Sequence, residues 1–140
     1  MWNRKIAVID TDKKFTSKIE AIALMVGYVP LVVNDALSAV DTVVRSKPDV
    51  ILLGLRMPDK NGFELAVAID HALGTREIPI IAVSDFFNQE FVWLMELCGI
   101  KKWFKKPCQP LDFIWAIESG IEEDSQGGRE NYLVDAASFQ

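Results

Sequence analysis

The chain has 140 residues, half of them hydrophobic, and a formal net charge of −5 at pH 7. This length is typical of a single domain with its own hydrophobic core. The negative charge argues against a surface built for nucleic acid or an anionic membrane. No apolar run approaches the roughly 20 residues that cross a bilayer, and the first residues do not form a secretion signal. We therefore expect a globular cytoplasmic domain.

Five short apolar segments alternate along the chain with five helical patterns. The segments predicted as strands are residues 6–9, 28–33, a Val-Ile-Leu run from residue 50, 78–83 and 103–104. The third is apolar without interruption, which is typical of a strand buried on both faces in the middle of a parallel sheet. Pro30 in the second indicates an edge strand, where a missing N–H is tolerated. The alternation predicts an α/β fold, a doubly wound, flavodoxin-like (βα)5 domain whose five-stranded parallel sheet has helices on both faces.

Apolar residues at spacings of three and four predict which face of each helix is buried. The expected inward residues are Phe15, Ile19, Ile22 and Val26 in the first helix, Ala36, Val40, Val43 and Val44 in the second, Phe63, Leu65, Ala66 and Ile69 in the third, and Leu111, Ile114, Ile117 and Ile121 in the last. In the fourth helix the predicted core stripe consists of Phe91, Leu94 and Met95, or Cys98. This arrangement leaves Phe87 and Trp93 for an exposed face.

The composition changes near residue 122, so we place the folded domain at residues 1–122 and a tail at 123–140. Glycine and polar residues begin the tail and suggest a flexible segment. Tyr132, Leu133, Val134 and Phe139 follow them and leave open that the tail docks on the domain or on a partner.

Polar residues follow three of the predicted strands, where the carboxyl ends of parallel strands meet in one crevice. They are Asp10, Thr11 and Asp12 after the first strand, Ser84 and Asp85 after the fourth, and Lys106 after the fifth. The central strand ends instead at Gly54. Carboxylates suit a hard cation, whereas a hydroxyl and an ammonium suit an anion. The pattern predicts an ion or phosphoryl site from which the central side chain is missing.

Four linked motifs resemble the receiver domain of bacterial two-component response regulators, which act in phosphorelay signal transduction. They are residues 6–12 (IAVIDTD), 48–62 (PDVILLGLRMPDKNG), 78–84 (IPIIAVS) and 105–107 (KKP), and the resemblance covers roughly residues 4–122. In that family an aspartate at the end of the third strand accepts a phosphoryl group from a histidine kinase, near a Mg²⁺ held by an acidic pair. The resemblance implies that Asp10 is the first acid, Ser84 the phosphoryl-binding hydroxyl, Lys106 the lysine and Trp103 the switching aromatic.

The chain departs from this pattern at two of the residues that would carry out phosphorylation. Gly54 stands at the phosphoacceptor position and cannot form an acyl phosphate, and Thr11 stands where the family has its second acid. Mg²⁺ usually keeps one or two carboxylates in a protein site, so Asp10 alone would hold it weakly and we expect no cofactor. We expect Lys106 to pair with Asp10 as a structural contact. The alternative is an anion pocket made by Lys106 and Ser84.

These residues predict a pseudo-receiver, a signalling module and not an enzyme, which acts through protein partners without phosphorylation. The resemblance implies a partner face on the fourth helix, fifth strand and fifth helix, with Phe87, Trp93 and Trp103 as its aromatics. A histidine kinase, another signalling protein or a second copy would bind there, and neither nucleic acid nor a membrane is expected. Two alternatives remain open. One is a conventional phosphoacceptor that uses a neighbouring aspartate or in which Gly54 is an introduced change, and the other is a sensor of a small anion in the vacated pocket.

Overall fold

The computed structural model describes residues 4–57, 61–74, 77–107 and 109–126, and side chains as far as residue 121. Within these residues five strands alternate with five helices: β1 (Lys5–Ile9), α1 (Lys13–Met25), β2 (Val29–Val33), α2 (Ala39–Ser46), β3 (Val50–Gly54), α3 (Gly62–Leu73), β4 (Ile80–Ser84), α4 (Gln89–Leu97), β5 (Lys102–Lys105) and α5 (Pro110–Gln126). None of the described helices is both long and apolar enough to span a membrane.

The strands form one parallel sheet in the order β2-β1-β3-β4-β5. One buried cluster joins the sheet to α1 and α5, and a second joins its other face to α2, α3 and α4. The doubly wound fold predicted from the sequence is therefore confirmed. The edge position indicated by Pro30 is also correct, because β2 is the first strand in this order and β1 is its neighbour among the described strands.

Strand β3 lies at the centre of the core. All five of its residues are buried, and it pairs with β1 on one side and with β4 on the other. Gly62 begins α3 directly against the end of this strand. A Cβ atom at Gly62 would lie 2.5 Å from the carbonyl oxygen of Gly54, closer than such atoms approach. Only glycine therefore lets the loop after β3 return this tightly to the sheet edge.

Four residues predicted to face the core are exposed instead. They are Val26, Val44, Leu94 and Leu111, with 42%, 40%, 41% and 77% of their surface accessible. Val26 is the C-cap of α1, where the chain leaves the helix. Leu111 lies two residues before the fully buried Phe113. Because residues two apart on an α-helix point in nearly opposite directions, burial of Phe113 turns Leu111 outward.

Tyr28 ties the α1–β2 corner to α5. It is buried, and its hydroxyl donates a hydrogen bond to Glu118 Oε2, which also lies 3.7 Å from Arg4 Nε. Burial, reinforced by the hydrogen bond to Glu118 and its negative charge, raises the pKa of Tyr28 above its ordinary value. The phenol is therefore held neutral in the folded protein.

This raised pKa predicts a loss of stability in alkali. The folded state holds the Tyr28 proton more tightly than the unfolded chain, so its contribution is complete below a pH of about 10, the ordinary tyrosine pKa, and declines above it. We expect the melting temperature of the wild type to fall more steeply between neutral and strongly alkaline pH than that of Tyr28→Phe. Parallel pH profiles for the two proteins would contradict the assignment.

Helix α5 continues to Gln126, past the domain boundary expected at residue 122. The first four residues of the expected tail, 123–126, are thus helical. Residues 127–140, which contain the apolar positions singled out above, lie outside the described residues.

Candidate functional site

The carboxyl ends of β1, β3, β4 and β5 form one crevice. Gly54 pairs with Val83, Ser84 pairs with Lys105, and Asp10 and Lys106 directly follow β1 and β5. A cavity of about 300 Å³ opens at this edge. Its lining residues are Asp10, Thr11, Asp12, Arg56, Val83, Ser84, Asp85 and Lys106. The polar residues that the sequence placed at three strand ends are thus adjacent in space, with Gly54 at the end of a fourth strand.

The carboxylate of Asp10 fills the space next to Gly54. A Cβ atom built on Gly54 would lie 2.4 Å from Asp10 Oδ2 and 2.6 Å from Asp10 Cγ. Asp10 is only 2% exposed, so this carboxylate is enclosed by the protein. No side chain larger than that of glycine fits at position 54 while Asp10 keeps this conformation.

Lys106 supplies the charge that Asp10 needs. Its Nζ lies 2.9 Å from Asp10 Oδ2 and 3.2 Å from Asp12 Oδ2, and 4.5 Å from the centre of the Phe15 ring. The backbone N–H of Lys106 donates to the carbonyl of Ser84 (2.9 Å), which fixes the start of the lysine against β4. A buried carboxylate is tolerated when it is paired and hydrogen-bonded, and this ammonium pairs with Asp10 and Asp12 together.

Asp12 links this ion pair to α1. As the N-cap of the helix it accepts a hydrogen bond from the backbone N–H of Phe15 (3.1 Å), and its own N–H donates to Asp10 Oδ1 (3.0 Å). The bond from Phe15 is the main cause that lowers the pKa of Asp12; burial acts in the opposite direction, and Lys106 adds to the lowering. Asp12 therefore remains a carboxylate across the neutral pH range.

Ser84 is buried at 2% exposure, and its hydroxyl accepts a hydrogen bond from the backbone N–H of Phe86 (3.1 Å). The side chain thereby stabilises the turn between β4 and α4. Thr11 lines the same cavity but carries no charge. Both residues stand where the sequence placed them.

An ion pair that was not predicted from the sequence lies across the mouth of the crevice. Arg56 Nη1 lies 3.1 Å from Asp85 Oδ1, and the guanidinium lies 5.5 Å from the centre of the Phe86 ring. Both charged side chains are more than half exposed, so the pair contributes little stability. Its signal in the sequence was an arginine and an aspartate just beyond two neighbouring strands.

Two of the three aromatic residues assigned to a partner face are buried. Phe87 and Trp103 are 5% and 8% exposed, and their ring centres lie 6.3 Å apart. Phe87 also packs edge-on against Phe91. Because the β4–α4 turn directs Phe87 over β5, the expectation that it is exposed is wrong. Trp93, at 58% exposure, does lie on the surface as predicted.

The described residues fit Mg²⁺ poorly. No cluster of three or more His, Cys, Asp or Glu side chains that could hold a metal ion is found among them. The acids nearest to Gly54 already share the ammonium of Lys106, and Thr11 offers no negative charge. A divalent ion would have to displace that ammonium before it could use both carboxylates.

The sequence model of the response regulator receiver domain matches residues 6–118, which is most of the chain. The chain belongs to the response regulator receiver domain family. The matched range begins in β1 and ends within α5, so it contains all four strand ends of the crevice.

Relatives of this receiver domain include proteins of different lengths. It is 25% identical over 130 residues to the phosphate regulon transcriptional regulatory protein PhoB of Pseudomonas aeruginosa, covering 93% of this chain but 57% of that protein. It is 29% identical over 107 residues to the polar-differentiation response regulator DivK of Brucella anthropi, covering 76% of this chain and 84% of that protein. The chain thus spans little more than half of PhoB and most of DivK.

Solved receiver structures share the fold of this domain. The chemotaxis protein CheY4 of Vibrio cholerae superimposes with a TM-score of 0.80 at 19% identity, over 84% of this chain and 98% of that one. A CheY-like receiver domain protein from Methanospirillum hungatei gives 0.80 at 20% identity, over 90% and 99%. At these identities the similarity concerns the fold alone.

Proposed function

We propose that this receiver domain is a signalling module that acts without phosphorylation at position 54. It is a pseudo-receiver that binds protein partners of a two-component pathway and catalyses no reaction of its own. The proposal rests on one arrangement. The Asp10 carboxylate lies where a side chain at position 54 would begin, and Lys106 is bound to it.

Loss of the acceptor changes how such a domain can switch. A phosphoryl group shifts a conformational equilibrium only if it interacts more favourably with one of the two states than with the other. Here the Lys106 ammonium is already paired with Asp10 and Asp12. Any change of state must therefore come from a partner with different affinities for the two states.

Phosphorylation with a small-molecule phosphodonor tests the proposal directly. The purified chain is incubated with acetyl phosphate or phosphoramidate and Mg²⁺, and its intact mass is measured. We expect the unmodified mass, because Gly54 has no carboxylate and Asp10, which lies against it, is buried and paired with Lys106. A receiver domain with an intact acceptor serves as the positive control. A stoichiometric phosphoryl adduct on any aspartate of this chain would refute the proposal.

A conventional phosphoacceptor that uses a neighbouring acid is the main competing hypothesis. Asp49 lies at the opposite end of β3 and accepts a hydrogen bond from the backbone N–H of Lys5 (2.7 Å), so it is remote from the crevice. Asp10 and Asp12 are in the crevice but already hold the lysine. Asp59 lies outside the described residues. The mass measurement distinguishes this hypothesis from ours, and peptide mapping would identify the acid.

An anion sensor is disfavoured by the charges around the cavity. Among the described residues that line it, Asp10, Asp12 and Asp85 contribute three carboxylates, against the two cations Lys106 and Arg56. Each cation is already paired with an aspartate. An incoming anion would have to break one of these pairs and accept a net negative surrounding.

We propose that protein partners bind the α4 side of the domain. Trp93 is the exposed aromatic residue there, since Phe87 and Trp103 are buried. Exposed tryptophan is common at the centre of protein interfaces. Leu97, one turn further along α4, is 83% exposed and enlarges this apolar surface. A histidine kinase, another signalling protein or a second copy of the chain would be recognised by such a surface.

A further inference from the structure

A second cavity lies at the opposite edge of the sheet, where the strands begin. It measures about 250 Å³ and is walled by apolar groups of Ile78, Pro79, Ile80 and Cys98, with Gly120 of α5 on its other side. Charged residues also line it, among them the exposed Asp70 and Glu77. None of these residues belongs to the crevice around Gly54. The cavity is therefore a separate feature of the fold.

An exposed apolar stripe on α4 leads to this cavity. Trp93, Leu94 and Leu97 are 58%, 41% and 83% exposed, and their spacings of three and four place them along one side of the helix. Leu97 immediately precedes Cys98, which lines the cavity. Large apolar side chains grouped in this way mark an interaction surface.

The residues that follow α5 start close to this cavity. Gly120 lines it, and α5 ends at Gln126, six residues or about 9 Å further along the helix axis. Gly127 and Gly128 come next and permit a reversal of the chain. Tyr132 is the sixth residue after Gln126, so the intervening chain spans up to roughly 20 Å. This length allows the segment to return to the cavity.

We propose that residues 132–139 of the same chain dock on this cavity and on the adjoining stripe of α4. An aromatic side chain, Tyr132 or Phe139, enters the cavity, and Leu133 and Val134 cover Leu97 and its neighbours. The cavity is large enough, because a cavity of about 150 Å³ already takes up benzene. The docked segment covers part of the α4 surface that a protein partner would use, so it competes with such a partner.

The covalent link favours this segment over a second copy. A short flexible linker gives the tethered segment an effective concentration in the millimolar range. The same contacts between two molecules depend on the protein concentration, which is far lower in a dilute sample. Because both would make the same contacts, the tethered segment of the same chain binds in preference to that of a second copy.

NMR spectroscopy of the full chain tests the docking. We compare ¹H–¹⁵N spectra of the wild type with those of Tyr132→Ser/Phe139→Ser, and with Asn131→Ser/Gln140→Ser as a matched control in the same segment. The first variant should shift the amide signals of residues 78, 80, 97–99 and 118–121, and the control should leave them in place. Docking is ruled out if both variants leave these signals unchanged, or if both shift them equally.

A reciprocal change on the domain identifies the docking surface. Leu97→Ser should shift the amide signals of residues 132–139, whereas Leu111→Ser, an equally exposed leucine near the start of α5, should not. The shifts should persist on dilution. Shifts that vanish on dilution would show that a second copy binds this surface. Identical responses to the two leucine variants would show that the segment does not dock on α4. Either result overturns the proposal.

Discussion

Replacement of Lys106 by methionine should lower the free energy of unfolding by about 3–5 kcal/mol, the usual cost of removing one partner from a buried ion pair. Methionine keeps the length and apolar stem of the side chain against Phe15, so the change removes mainly the charge. Asp10 would remain a 2% exposed group with no cation at 2.9 Å. Denaturant unfolding followed by circular dichroism measures the effect.

Two companion variants separate the ion pair from other effects. Lys105→Met alters an exposed lysine one residue earlier and should change stability by no more than about 0.5 kcal/mol. Asp10→Asn/Lys106→Met removes both charges and should recover most of the loss, because no unpaired charge stays buried. Equal losses for Lys105→Met and Lys106→Met would show that the pair does not stabilise the domain.

Introduction of an aspartate at position 54 should destabilise the protein before it restores any chemistry. Its Cβ would lie 2.4 Å from Asp10 Oδ2, so Asp10 must rotate away and give up its contact with Lys106. Overpacking of this kind costs about 1–3 kcal/mol, and two carboxylates then compete for one ammonium. Gly54→Ala is the matched control, because its Cβ alone displaces Asp10; it should lose comparable stability and gain no acceptor.

Phosphorylation of position-54 variants tests whether Thr11, which replaces the second acid of the family pattern, also prevents the reaction. Gly54→Asp should accept little phosphoryl group from acetyl phosphate, since Thr11 still supplies no charge for Mg²⁺. Gly54→Asp/Thr11→Asp should accept more, because Mg²⁺ is commonly bound through one or two carboxylates. Intact mass against time measures both. Full phosphorylation of Gly54→Asp alone would show that Thr11 does not impair phosphorylation. An unchanged free energy of unfolding in Gly54→Ala would show that Asp10 moves aside at little cost.

The sequence predicted the parts of this protein that depend on local periodicity. Alternating strand and helix patterns predicted the doubly wound sheet, and Pro30 predicted the edge strand. Polar residues at three strand ends predicted the crevice. The errors at Val26, Val44 and Leu111 lie at helix ends or beside a residue that took the buried position. Spacing alone does not say where a helix starts relative to the sheet, and that start decides which residues turn inward.

Side-chain placement at the site required the tertiary structure. Phe87 is buried because the turn after β4 carries it over Trp103, and Arg56 meets Asp85 because two loops from neighbouring strands converge. The sequence by itself determined the fold, the position of the crevice and the missing carboxylate at Gly54. Only the tertiary structure decided that Asp10 fills this space and holds Lys106, because that contact joins residues from three strand ends distant in the sequence.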